Sequence, residues 1–394
     1  MTDIVLLYDR SETDELGIRL TAEEMGIELG YLPFYKVAVT LNQDGYTYRS
    51  LGRDYTETLD KTRIVLNRTQ SKNRRLLASS IIEAIGKEVL NPLPIELLCQ
   101  SKIRTALALS KAGIRVPRTT YIPCNVMESV DDRTSLDNSA SISKLIASNI
   151  GEENVVLKPD AGTHGRGVSL AGNGEELTKI LHEITPSVTN PAGVVAQELI
   201  PKWFYDLRII VSKEKGRKDR CHPTALARGG FKEFRTNTFL GNMVFRAQLP
   251  PAVRREAERC ADVLSGGRKA WVIALDAMPF IGEEVMEGED ELKESFSALE
   301  KPFQVVQKVK KSPTKKFDFR EYTCNITNAY KEYMATEAYA RIEKVVNSTL
   351  RRTQDSVYFH EGNACPEFWE QTRVVGDINL AIDLLNCAES LMDR

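Results

Sequence analysis

Short apolar runs alternate with amphipathic stretches along the first hundred residues. Asp3-Ile-Val-Leu-Leu-Tyr8 is rich in β-formers and predicts a strand, and Thr13 to Met25 predicts a helix after a polar loop. Arg63-Ile-Val-Leu-Asn67 repeats the strand pattern, Arg74 to Ile85 repeats the helical one, and Glu88-Val-Leu-Asn91 adds a third short strand before Pro92. Such alternation predicts a parallel, helix-flanked sheet in a first domain over residues 1–98. Ligands bind at the carboxyl ends of such strands, which makes Arg68, Ser71 and Arg74 a candidate site, with a solvated basic helix start as an equal alternative.

Beyond Pro92 a helix over Gln100 to Ala112 is closed by Gly113, with Pro117 following. The pattern then becomes predominantly β. Tyr121-Ile122, Asn154 to Lys158, Val194 to Ile200 and Asp206 to Val211 read as strands, and the polar stretch from Asp131 turns helical toward Ser148. The short loop before Asp206 predicts that the last two strands pair antiparallel.

Composition narrows the class. At 394 residues the chain exceeds one core and implies two or three domains, and 42% hydrophobic with 27% charged residues is globular. A formal charge of -2 gives no global pull toward nucleic acid or anionic membrane. No apolar run approaches the roughly 20 residues of a spanning helix, so a cytoplasmic protein with no nucleic-acid or membrane partner is expected. Seven scattered cysteines without a CxxC pair and four histidines without an HxxxH spacing argue against a disulfide framework or zinc site.

One segment carries candidate chemistry. Lys158-Pro-Asp-Ala-Gly162-Thr163-His164-Gly165-Arg166-Gly167-Val168 follows a strand and returns into Ser169-Leu170. Glycines let backbone N–H groups approach phosphate oxygens, and the Lys158 ammonium can neutralise them. The segment is neither a Walker A loop nor a Rossmann fingerprint, since no helix follows. Phosphate binding and a plain structural hairpin both remain open on these residues alone.

The order of features around that segment is more specific. Val65-Leu-Asn-Arg68-Thr-Gln-Ser71, Asn91-Pro92, Gln100-Ser-Lys102 and Leu107 to Pro117 precede it. Gln197-Glu198, Asp206-Leu-Arg208, Arg228, Arg235-Thr-Asn237, Asp276 and Glu361-Gly-Asn363 follow it. This order resembles the ATP-grasp carboxylate-amine ligases, in the RimK-like branch that includes LysX-type enzymes. The resemblance covers residues 1 to about 280 and 356 to 394. It implies an α/β and α+β fold: an N-terminal parallel α/β domain (1–98), a central ATP-grasp domain (99–195) and a C-terminal ATP-grasp domain (196–394), the last two with antiparallel sheets.

The resemblance also implies roles. Lys102 and Lys158 bind the ATP phosphates, Gly162 to Gly167 (with Thr163, His164, Gly165 and Arg166) cover them, and Gln197 and Glu198 bind adenine. Asp276, Glu361 and Asn363 hold Mg²⁺, as two ions with Mn²⁺ as a substitute, which suits hard oxygen ligands. Arg228 stabilises the transferring phosphoryl group with Asn237 nearby, Asp206 and Arg208 support them, and Arg68, Ser71, Arg235, Glu367 and Phe368 bind substrate. The activity implied is amide-bond formation between a carboxylate and an amine through an acyl-phosphate. The Glu367-Phe368 pair resembles an element of LysX-type ligases, which favours ligation of an amino acid to a glutamate of a small acidic carrier protein. Alternatives are a RimK-like glutamate ligase acting on a protein, coenzyme or secondary metabolite, and a nucleotide-binding interaction protein without ligase activity. An amino-acid or small-molecule amine acceptor and a homo-oligomer, dimer or tetramer, are expected. The basic stretch from Lys202 to Arg235, ten bases against four acids, would suit an acidic partner or simply be solvated.

Two features depart from the resemblance. Gly241-Asn242 replaces a common Gly-Gly pair, and 84 residues (277–360) separate the Asp276 and Glu361 strands where a hairpin is usual. That insertion, at about 281–355, holds an acidic half (281–300, net -7) and a basic half (301–320, net +6), with a helix over 328–351. Exposed charges are screened within about 8 Å, which predicts a mobile, removable element: a lid, an oligomer contact, a docking arm or, equally, plain surface elaboration.

Overall fold

A computed structural model describes residues 3–10, 12–123, 139–151, 153–162, 165–184 and 193–392. Residues 131–138 of the polar stretch, together with Thr163 and His164, lie outside the described residues. The N-terminal sheet is parallel, in the order Leu29–Pro33, Ile4–Tyr8, Ile64–Asn67, Glu88–Leu90. Helices Thr13–Met25 and Lys72–Ala84 flank it, as the alternating pattern predicts. An antiparallel three-stranded sheet over Val37–Asn42, Gly45–Ser50 and Arg53–Asp54 is an addition that the reading above does not contain.

The two downstream sheets are antiparallel. The central one runs Ser169–Ala171, Val155–Pro159, Val194–Glu198, Thr119–Ile122. The C-terminal one runs Met243–Gln248, Thr224–Gly229, Tyr205–Lys213, Trp271–Pro279, Val357–Asn363. Strands Val194–Glu198 and Tyr205–Lys213 therefore belong to different sheets, which corrects the expected pairing: the short connection crosses between domains. The expected helix Gln100–Ala112 is found as Lys102–Lys111, with a separate helix before it. Leu93–Gln100 ends at Ser101, whose Oγ accepts from the Arg104 N–H at 3.2 Å and starts Lys102–Lys111. That break sets Lys102 in the first turn of the second helix.

Buried polar groups lock the first domain to the third. Asn91 Nδ2 donates to the carbonyls of Val272 and Ala364 at 2.6 and 2.7 Å, and its Oδ1 accepts from Val272 N at 3.0 Å. Gly17 lies so close to the Trp369 ring that a Cβ there would overlap it, so only glycine permits this helix to dock.

The insertion is packed into the C-terminal domain rather than standing off as an arm. It folds into helices Glu289–Lys310, Thr314–Phe317, Phe319–Met334 and Glu337–Arg352. Leu299, Phe303, Tyr322, Ile326, Tyr333, Ile342 and Leu350 are buried in the same core as the C-terminal sheet. The charge segregation has a simple cause: Glu289, Asp290 and Glu291 occupy the first turn of one 22-residue helix and Lys308 and Lys310 its last, each complementing the helix dipole. The expected 328–351 helix is two helices, because Thr336 accepts from the Tyr339 N–H and begins a new one. That helix protects the sheet edge: the Tyr339 hydroxyl accepts from Arg246 N at 2.9 Å and Asn347 Oδ1 from Gln248 N at 2.7 Å.

Candidate active site

A cleft of about 400 Å³ opens between the central and C-terminal sheets, roofed in part by the first domain. Its floor follows from strand register. Asp206 lies opposite Arg228, Arg208 opposite Asp276, and Asp276 opposite Glu361, while Ala274 faces Asn363. Residues two apart on one strand share a face, so these pairs form a charged row. Arg208 binds Asp276 through Nε and Nη2 at 2.9 and 3.0 Å; Arg228 binds Asp206 at 2.8 and 2.9 Å and reaches Asp276 at 3.1 Å.

Directly opposed carboxylates repel, and cations offset this here. Burial alone would raise the Asp276 carboxyl, but Arg208 and Arg228 hold it well below the ordinary range. Burial likewise opposes ionisation of Glu361, yet Lys102 and Lys72 lower it, Lys72 Nζ standing 3.9 Å from Oε1. Both groups are therefore carboxylates at neutral pH.

The opposite wall is cationic. Lys102 Nζ donates to the carbonyls of Asp160 and Gly162 at 3.2 and 2.9 Å, which ties the helix start to the glycine-rich turn. Lys158 is buried on its strand, and burial, with Lys102 beside it, lowers its pKa to about 8. Arg235 Nη1 donates to the Gly165 carbonyl at 3.1 Å, and a Cβ on Gly165 would come within 2.9 Å of Asn237 Oδ1, so this turn closes on the loop that carries both residues. Gly165 and Gly167 have φ of 70° and 68°, which glycine adopts without strain. Gln197 donates from Nε2 to Thr119 Oγ1 at 2.9 Å and Glu198 accepts from Arg118, while Val156, Leu199, Ile200 and Met278 add apolar lining. Ten basic and five acidic side chains line the cleft, a net +5 in a chain of net -2.

Among the described candidates, Lys102, Lys158, Gly162, Gly165, Arg166, Gln197, Glu198, Arg228, Arg235, Asn237, Asp276, Glu361, Asn363 and Glu367 line this one cleft, with Asp206 and Arg208 in its lining as well as behind Arg228 and Asp276. Three substrate candidates are not brought there. Arg68 is buried against Asp14 and Glu15 at 3.2 and 3.6 Å and donates to the Pro366 carbonyl; Phe368 packs beneath its guanidinium; Ser71 caps helix Lys72–Ala84. Arg68 and Phe368 thereby brace the Cys365–Trp369 loop, while Ser71 starts the neighbouring helix. Arg74 pairs with Asp9 at 3.0 Å away from the cleft.

Among the lining residues to which the sequence reading gives no role, Lys72, Lys202, Lys310 and His360 matter most for charge. Lys72 directly follows Ser71, so the strand-end signal that flagged its neighbours could have found it. Lys202, buried and lowered to about 8 by burial, hydrogen-bonds Thr236 at 2.6 Å. Lys310 arrives from the insertion and pairs with Glu370 at 3.0 Å. His360 enters through a bulge, since the register slips between Asp276 and Ala277 and leaves His360 unmatched beside Glu361. Burial, then Lys158, lower its pKa to about 4.

Lys158 gives a pH-dependent expectation. On the role that the resemblance implies for Lys158, phosphate oxygens favour the ammonium, so above pH about 8 nucleotide binding would take up a proton, and affinity should fall by up to about tenfold per pH unit. Calorimetric titration with ATP at pH 7 to 9.5, in buffers of different ionisation heat, measures the uptake. Replacing Lys158 with Met should weaken binding and reduce the uptake; an unchanged titration would make Lys158 structural.

Two lysine-bearing elements over a glycine turn, facing two carboxylates and an amide on an antiparallel sheet, define the architecture of the ATP-grasp proteins. Solved structures share the fold: D-cycloserine synthetase DcsG (TM-score 0.55, 12% identity, 99% of each chain covered) and the ATP-grasp ligase PsnB complexed with minimal precursor (TM-score 0.53, 13% identity, 98% of each). No protein-family model matches the chain. Among curated proteins it is similar to the alpha-aminoadipate–LysW ligase LysX of Sulfurisphaera tokodaii, 25% identical over 262 residues (66% of this chain, 81% of the relative). LysX of Saccharolobus solfataricus is 28% identical over 244 residues (62% and 78%). The chain is thus similar to ligases of the LysX and RimK-like type, and it is an ATP-dependent carboxylate-amine ligase that forms amide bonds. No described helix is long and apolar enough to cross a membrane.

Proposed function

We propose that this ligase transfers the terminal phosphoryl group of ATP to a substrate carboxylate and that an amine then displaces phosphate from the acyl-phosphate. The observation that carries the reading is the gathering of Lys102, Lys158 and Arg228 around the Asp276–Glu361 pair in one cleft. A carboxylate is a poor acyl donor, and phosphoryl transfer needs charge stabilisation and positioning above all. Lys158 and Lys102 hold the phosphates, the Gly162–Gly167 turn covers them, and Arg228, fixed by Asp206, faces the charge that develops on the moving group.

The donor set fits Mg²⁺. Among the described residues no three His, Cys, Asp or Glu side chains gather into a metal cluster, so the ligands available are two carboxylates and the Asn363 amide. Mg²⁺ takes one or two protein carboxylates and completes its shell with phosphate oxygens and water. The amide oxygen of Asn363 is the atom that could reach the ion, while its Nδ2, buried without a hydrogen-bond partner, is a donor suited to a phosphate oxygen beside it. Asp276, Glu361 and Asn363 would hold the ion, which when bound neutralises the phosphate oxygens. A PsnB structure contains Mg and ADP.

The substrate reading follows the relatives. LysX is named as joining alpha-aminoadipate to LysW, and the macrocyclase MdnC of Microcystis aeruginosa (TM-score 0.53, 14% identity, covering 99% of this chain and all of its own) is seen bound to precursor peptide MdnA. We favour a glutamate carboxylate on a small acidic carrier protein, with an amino acid supplying the amine; the excess of cleft cations suits both acids. A glutamate-terminated peptide, labelled with oxygen-18 in its side-chain carboxyl, should stimulate ADP release with an amino-acid acceptor and deliver label to the phosphate. Unlabelled phosphate would overturn the acyl-phosphate route, and ADP release without amide product would overturn ligation to that carboxylate.

A further inference from the structure

We propose that His360 binds the terminal phosphoryl group of the nucleoside triphosphate, donating an imidazole N–H to one of its oxygens; this rests on the nucleotide reading above. The bulge after Asp276 is what exposes the residue. In a regular strand His360 would point away from the face that carries Glu361, but the extra residue turns both into the cleft lining.

Both ring nitrogens are buried and neither has a hydrogen-bond partner among the described residues. An imidazole always presents at least one donor, and a buried donor without an acceptor is costly enough to require an explanation. No neighbour supplies the acceptor. Asp276 is engaged by Arg208 and Arg228, and Asp206 by Arg228. Asn363 Nδ2, two positions beyond Glu361, is a second buried donor without a partner on the same strand. Two such donors beside Lys158 call for an oxygen-rich anion.

The position selects the phosphoryl group. The base end of the nucleotide lies along Gln197 and Glu198, and the phosphates pass Lys158 on the neighbouring strand. His360, on the far strand beside Asp276 and Glu361, stands where the last phosphoryl group arrives. Lys158, Asp276, Glu361 and Asp206 are the charged groups around it.

The test compares nucleotides that differ by that group. Calorimetric affinities for ADP and for the non-hydrolysable triphosphate AMPPNP, each with Mg²⁺, are measured for the wild-type chain and for H360A and H360N. H360A should weaken AMPPNP by about tenfold while ADP affinity stays within about twofold, as loss of one hydrogen bond to a charged group implies. H360N, which retains a donor, should keep most of the AMPPNP affinity. Equal weakening of both nucleotides overturns the proposal in favour of a metal-ligating or structural histidine, and unchanged affinities overturn it outright. Unchanged ADP binding also certifies that the variants fold. If the wild-type chain binds neither nucleotide, the functional reading itself falls and takes this inference with it.

Discussion

Replacing Glu361 with Gln is expected to lower kcat by about two to three orders of magnitude while the melting temperature stays within a few degrees. Gln keeps the shape and one oxygen but removes the charge, and charge at the phosphoryl centre is what positioned groups in such sites supply. The fold should tolerate the change because two effects offset: attraction to Lys72 and Lys102 is lost, and repulsion from Asp276 is relieved. Asp276 is a poorer choice for the same test. Its removal strands Arg208 and Arg228 in a buried site, where losing one partner of an ion pair costs about 3–5 kcal/mol. ADP release under saturating ATP, with thermal melting in parallel, decides the matter. Turnover near that of the wild type would remove Glu361 from the metal site.

Excising residues 284–354 behind a Gly/Ser linker is expected to unfold the C-terminal domain and abolish nucleotide binding, the reverse of what the charge pattern alone suggests. The strand ends at Pro279 and Val357 are adjacent and could be joined by a hairpin. The obstacle is the surface left behind. Phe296 packs edge-on against Phe204 and Phe245, Tyr339 tilts over Phe245, and Phe319 lies against Trp369. The Tyr205 hydroxyl bonds Thr349 at 2.9 Å and the Tyr333 hydroxyl donates to the Val244 carbonyl at 3.1 Å. Each large apolar side chain deprived of cover forfeits about 1.5–3 kcal/mol, and a domain has about 5–15 kcal/mol to lose. Phe296→Ala alone should cost about 3–5 kcal/mol. A cooperative melt and retained ATP binding in the excised chain would restore the picture of a removable elaboration.

Much of the site was legible because it lies on strands. A strand end announces itself through an apolar run followed by a polar residue, as at Lys158, whereas Asp276 and Glu361 lie within their strands and were reached through the order of motifs that resembles the ATP-grasp ligases. Arg68, Ser71 and Phe368 lie outside the cleft lining for a related reason. A strand-end signal marks the right loop but not whether a side chain points into the cleft or back under the sheet, and Arg68 turns toward Asp14 and Glu15.

The parallel opening sheet, the antiparallel hairpin around the glycines and the identity of the two carboxylates were determined locally, by apolar periodicity and by residue types in a given order. The rest depended on what each element packs against. Segregated charge along 281–320 reads as solvated when taken alone; only the aromatic face of its helices against Phe204 and Phe245 makes it core, and only that docking brings Lys310 to the cleft. The crossing from strand Val194–Glu198 into a different sheet, and the one-residue bulge that turns His360 inward, depend on pairing between positions far apart in the chain. Register is a property of two strands together, and no single stretch of sequence contains it.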